Sequence, residues 1–66
     1  MKIKVKKNMY VECFRGMDSS SMYVKKGDMY EVDYKEERYG GKDGVYICDD
    51  EYFGEIYFSK EDVKVI

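Results

Sequence analysis

The sequence predicts an all-β domain. Apolar and polar residues alternate with period 2 along most of the 66-residue chain, glycines punctuate that alternation, and no segment carries a helical periodicity of credible length. A chain this short buries only about 60% of its unfolded surface, so it holds one hydrophobic core and is read as one domain, residues 1–66.

Each element follows in order. In "MKIKVKK" (1–7) Ile3 and Val5 alternate with Lys2, Lys4 and Lys6, giving a first strand with one apolar and one solvated face. Residues 8–26 combine a strand-like "MYVECF" (9–14) with "RGMDSSS" (15–21). Asp18 to Ser21 are expected at the mobile tip of a long first loop. "MYEVDYK" (29–35) places Tyr30, Val32 and Tyr34 on one face of a second strand. "RYGGKDG" (38–44) supplies the glycines of a hairpin turn into a third strand, "VYIC" (45–48), which is apolar on both faces as a central strand is. "EIYFS" (55–59) aligns Ile56 with Phe58 in a fourth strand, and "VKVI" (63–66) alternates in a fifth. "SKED" (59–62) has the spacing of a capping box but is too short for a helix, so a single 3₁₀ turn is expected there.

These elements make a small five-stranded SH3-like barrel with a long first loop and a 3₁₀ turn before the last strand. Curling the sheet onto itself encloses one core and limits exposed edges. A five-stranded oligonucleotide-binding-type barrel is the alternative, disfavoured because no helix falls between its third and fourth strands. Through "VKKGDMYEV", "GVYICDDEYFGEIYF" and "SKEDVKVI" the chain resembles, over residues 22–66, small SH3-like barrel proteins encoded by Gram-positive bacteria and their phages. The resemblance implies a fold and a phage or mobile-element origin, and carries no catalytic residue.

Composition excludes several chemistries. Cys13 and Cys48 without a single histidine leave no zinc spacing, and no metal or other cofactor is expected. The N-terminus lacks the apolar run of a signal peptide and no stretch approaches a membrane span, so a cytoplasmic protein with reduced thiols and no membrane partner is expected. Both cysteines are read as semi-buried packing residues. Ser19, Ser20 and Ser21 have no histidine to serve as base, and "YGGKDG" lacks phosphate-loop spacing, so no catalytic residue and no enzyme activity is expected.

Two binding classes remain. Asp49, Asp50 and Glu51 cannot start an EF-hand loop, because Phe53 and Lys60 occupy the positions of two ligands, and a solvated turn with Gly54 supplying an unusual backbone angle accounts for them. Eight tyrosines are too many for so small a core, and exposed tyrosine is enriched in interfaces. The first reading is therefore an unidentified protein partner, such as a host factor. It would be held by Met17, Met22 and Tyr23 on one side and Asp49, Asp50, Glu51, Tyr52, Phe53 and Tyr57 on the other, with the chain a monomer or weak homo-oligomer. The second is nucleic acid held by Lys2, Lys4, Lys6 and Lys7. It is disfavoured because Glu31 and Asp33 on the neighbouring strand are expected to pair with those lysines and cancel their field. Charge is uneven: residues 1–27 hold seven of the twelve basic residues and two of the fourteen acidic ones.

Overall fold

A computed structural model describes residues 1–36 and 44–66, and these form two antiparallel sheets and one 3₁₀ turn. In the first sheet β1 (Lys2–Val5) lies between β4 (Met29–Glu31) and β8 (Val63–Val65). The second contains β2 (Met9–Arg15), β3 (Asp18–Val24), β5 (Tyr34–Glu36), β6 (Val45–Asp50) and β7 (Gly54–Ser59), in the order β3-β2-β7-β6-β5. The all-β class is thus observed, built among the described residues as two sheets and eight strands.

The alternation read from the sequence sets which residues face inward. Ile3, Val5 and Val63 of the first sheet meet Val11, Cys13, Val24, Cys48, Ile56 and Phe58 of the second in one buried cluster, with Tyr30, Val32, Tyr46, Met9, Met22 and Phe53 packed partly against it. Phe58 is the largest fully buried side chain, and its ring lies 5.0 Å from that of Tyr30 across the two sheets. The central position expected of residues 45–48 is observed, since β6 pairs with both β5 and β7.

Two expectations are corrected. Residues 8–26 are not a long first loop but mostly a hairpin of two seven-residue strands, registered from Met9↔Val24 to Arg15↔Asp18, so Asp18 to Ser21 lie in β3 rather than at a mobile tip. Gly16 at φ 63° and Met17 form the two-residue turn, with positive φ only at its first central position, as a type II′ hairpin requires. The strand expected over 29–35 is broken at Val32 and Asp33. Its first half pairs with β1, and the Asp33 N–H then donates to the Ile47 carbonyl at 2.9 Å, which carries the chain onto the second sheet. The 3₁₀ turn is present at Lys60–Asp62, but the Ser59 side chain makes no capping bond, so the capping box is not formed. The glycine-rich turn expected at 38–44 falls largely on residues 37–43, outside the described residues.

Cys13 and Cys48 are both free and buried more fully than the sequence reading allowed. Each sits opposite Ile56, one on β2 and one on β6, so the whole of β7 lies between them. Two inter-strand spacings amount to about 9.6 Å, beyond the roughly 7 Å limit for a disulfide. Burial, with Asp33 and Glu31 adding, pushes the Cys48 thiol up to about 11, and burial with Asp50 raises Cys13. A thiol reagent at pH 8 is expected to label neither cysteine until urea unfolds the chain; rapid labelling of the folded protein would contradict the packing. An unfolded thiol ionises near 9 while folded Cys48 keeps its proton to higher pH. Its contribution to stability is therefore full below pH 9 and lost as pH rises through 11.

Candidate functional site

The outer face of the five-stranded sheet, turned away from the core, is rich in aromatic rings. Tyr10 and Tyr23 face each other in register across β2 and β3 with ring centroids 5.1 Å apart, and Phe14 meets Tyr57 edge-on at 5.0 Å. Tyr34 sits opposite Ile47, and its hydroxyl donates to the Glu55 carboxylate on β7, so the tyrosine spans β6. Ile47, 2% exposed although it points outward, is explained by that span. Open hollows lie along this sheet: one of about 120 Å³ lined by Tyr10, Glu12, Val45, Tyr57 and Ser59 among others, and one of about 400 Å³ over Phe14, Ser19 and Ser21.

β3 forms the edge of this sheet. Arg15 and Asp18 close a two-residue turn and so form a hydrogen-bonded pair, and the antiparallel alternation then points the N–H groups of Ser19, Ser21 and Tyr23 away from β2. This seven-residue edge carries no lysine and no proline, the residues that commonly blunt an edge.

The residues expected to bind protein divide between three places. Tyr23 and Tyr57 lie on the outer face. Met22 and Phe53 are half-buried and pack partly against the core, Met22 lying opposite Val11 in the β2–β3 ladder. Met17 is fully exposed at the β2–β3 turn, and Tyr52 is 75% exposed at the β6–β7 turn. Both turns lie at the same end of the sheet, because β2 and β7 run antiparallel with Phe14 opposite Glu55.

The acidic trio performs turn chemistry. The Asp50 carboxylate accepts from the backbone N–H groups of Tyr52 and Phe53, both at 2.9 Å, and Gly54 follows at φ 82°. Glu51 is exposed at the tip, and Asp49 lies opposite Glu55 with its N–H donating to Asp33 at 2.5 Å. Among the described residues no three Asp, Glu, Cys or His side chains gather as a metal would require.

The lysine strand is rearranged relative to expectation. β1 does lie beside β4, with Lys2 opposite Glu31, yet the Glu31 carboxylate contacts the N-terminal ammonium at 3.9 Å. Asp33 lies beyond the break in the strand and faces Asp49 instead, so neither acid forms the expected ion pair with a lysine of β1. Lys7 is held by Asp62 at 3.4 Å. Lys4 and Lys6 join Lys26 and Lys64 around a separate open hollow of about 440 Å³.

Comparison with protein-family models, curated proteins and solved structures finds no match to this chain. Among the described residues no helix is long and apolar enough to cross a membrane. Sequence reasoning did not place Tyr10, Phe14 or Tyr34 in a site, nor Lys26 or Lys64. The two-residue Gly16–Met17 turn is the signal that would have brought Tyr10 and Tyr23 together, because it fixes the register of the hairpin. No local signal pairs residue 64 with residue 4.

Proposed function

We propose that the protein is a non-enzymatic, SH3-like protein-binding module that takes an extended segment of its partner along the free edge of β3. The observation that carries this reading is an unblunted seven-residue edge lying directly beside the tyrosine-rich outer face. Added strands are held by main-chain hydrogen bonds, and alternate side chains of the added segment would fall on the outer face next to Tyr23 and Ser21. Tyrosine suits such a contact because it offers large area at low entropic cost. An SH3-like type draws support from one segment shared by two sheets at Val32 and Asp33, and from the 3₁₀ turn that leads into the last strand. The resemblance over residues 22–66 supports a phage or mobile-element protein acting on a host factor, and two free buried thiols are compatible with the cytoplasm.

The test uses two substitutions. Ser21→Pro removes an N–H that points away from β2 and so leaves the hairpin ladder intact, while Tyr23→Ser removes the ring next to the edge. A nuclease-treated bacterial lysate is passed over wild type and both variants, and a retained protein is purified and titrated directly. At least a tenfold loss of affinity is expected for each variant, with urea midpoints confirming that they fold. A partner bound equally by wild type and both variants would remove the edge of β3 from the function.

A further inference from the structure

We infer that the outer face of the three-stranded sheet is a docking surface for the phosphate backbone of duplex nucleic acid, held by Lys4, Lys6, Lys26 and Lys64. The four ammonium-bearing side chains line one open hollow, with Val5 and Gly27 between them. Lys4 and Lys64 are direct cross-strand partners in the β1–β8 ladder. Like charges directly opposite on a sheet destabilise it, so the fold keeps this pair against its own stability. Among the described residues no carboxylate comes within ion-pair distance of any of the four; the Lys6 ammonium donates instead to the Glu61 carbonyl at 3.2 Å.

Lys26 is placed by construction rather than by chance. The turn that carries it is tied to β1, the Gly27 N–H donating to the Val5 carbonyl at 2.9 Å and the Val5 N–H to the Asp28 carbonyl at 2.8 Å. The Lys26 N–H itself donates to the Asn8 side chain at 2.8 Å, and Asp28 closes the turn on the Lys25 N–H. Alternate residues of β1 stand about 6.6–6.8 Å apart, comparable to successive phosphates of a nucleic-acid strand. Of the seven basic residues in 1–27, Lys4, Lys6 and Lys26 gather at this face; Glu31 of the same sheet contacts the N-terminal ammonium, while Asp49, Asp50, Glu51 and Glu55 belong to the other sheet and its turn. An overall acidic chain can thus carry a basic docking face.

Duplex is favoured over single strands because no aromatic ring lines the hollow to stack an unpaired base. Lysine, a mobile point charge, suits phosphate contact without sequence readout. The surface belongs to the other sheet from the edge of β3, so either reading stands or falls without the other.

Fluorescence anisotropy with a labelled random-sequence DNA duplex, titrated with the full chain across a salt series, tests the proposal. Four phosphate contacts predict a log–log salt slope of about −3 to −4, with a dissociation constant on the order of 10 μM at 50 mM salt. Lys64→Gln should reduce the slope by about one unit, whereas Lys7→Gln, whose lysine is held by Asp62, should leave it unchanged. Lys64→Glu should abolish binding and yet raise the urea midpoint, because it converts the like-charged pair with Lys4 into an opposite one. Absence of duplex binding at 50 mM salt, an unchanged slope in Lys64→Gln, or binding to anionic phospholipid vesicles without binding to duplex would each overturn the assignment.

Discussion

Gly54→Ala is expected to leave the chain largely unfolded at room temperature. Gly54 opens β7 at φ 82°, and a Cβ there would stand 2.3 Å from the Phe14 carbonyl oxygen and 2.9 Å from the Arg15 Cα. Both obstacles are backbone atoms of β2, the strand that β7 pairs with, so relief requires the strands to separate where their ladder begins. A positive φ costs a residue with a side chain about 1–3 kcal/mol. Forced separation adds to this, and about 3 kcal/mol or more in total is the expected loss. A core of this size rarely supplies more than about 3–5 kcal/mol. Gly27→Ala is the internal control: Gly27 has φ 96° but nothing within 4 Å of the added carbon, so it should lose about 1 kcal/mol from strain alone. Urea melts of the two variants side by side decide the matter, and equal losses would show that the close approach to β2 is unimportant.

Phe58→Ala is expected to have an effect of the same order, by a different route. The ring is completely buried, lies on the middle strand of the larger sheet, and packs on Tyr30 of the smaller one. Truncation removes apolar area and leaves a cavity between two layers that cannot both close over it, at a cost of about 3–5 kcal/mol. Phe58→Leu keeps most of the volume and should cost markedly less. A loss below about 1 kcal/mol for the alanine variant would mean that the sheets are held together elsewhere.

How much of this was legible in the sequence depends on where the physical cause lies. Ile3 and Val5, Ile56 and Phe58 were readable because each pair alternates with polar neighbours, and burial of one face is a local property of a strand. Residues 18–21 were not readable, since Asp18 and three serines carry neither alternation nor β propensity and are strand only through pairing with β2. The break at Val32 was hidden for the opposite reason. Tyr30, Val32 and Tyr34 continue an unbroken alternation, and the change of sheet is imposed by the Asp33 bond to Ile47. The turn function of Asp50 was readable from composition, but the four-lysine face was not, because Lys64 reaches Lys4 only through a pairing sixty residues apart in the chain.

The two candidate surfaces differ in the forces they use. The edge of β3 offers directional main-chain bonds next to rings, which resist salt, whereas the lysine face offers screened charge, which does not. Ionic strength therefore separates them in any binding measurement.

The crossing at Val32 and Asp33 bears on how the molecule comes apart. Among the described residues the chain passes from one sheet to the other four times, at 6–8, 25–28, 32–33 and 60–62, with only two to four residues between the strands on either side. Such short tethers leave neither layer enough slack to peel away and persist alone. Detaching β4 from β1 pulls on β5, and loosening β7 pulls on β8. The domain is in this sense a single cooperative unit, in which a local disturbance is either absorbed where it arises or felt everywhere.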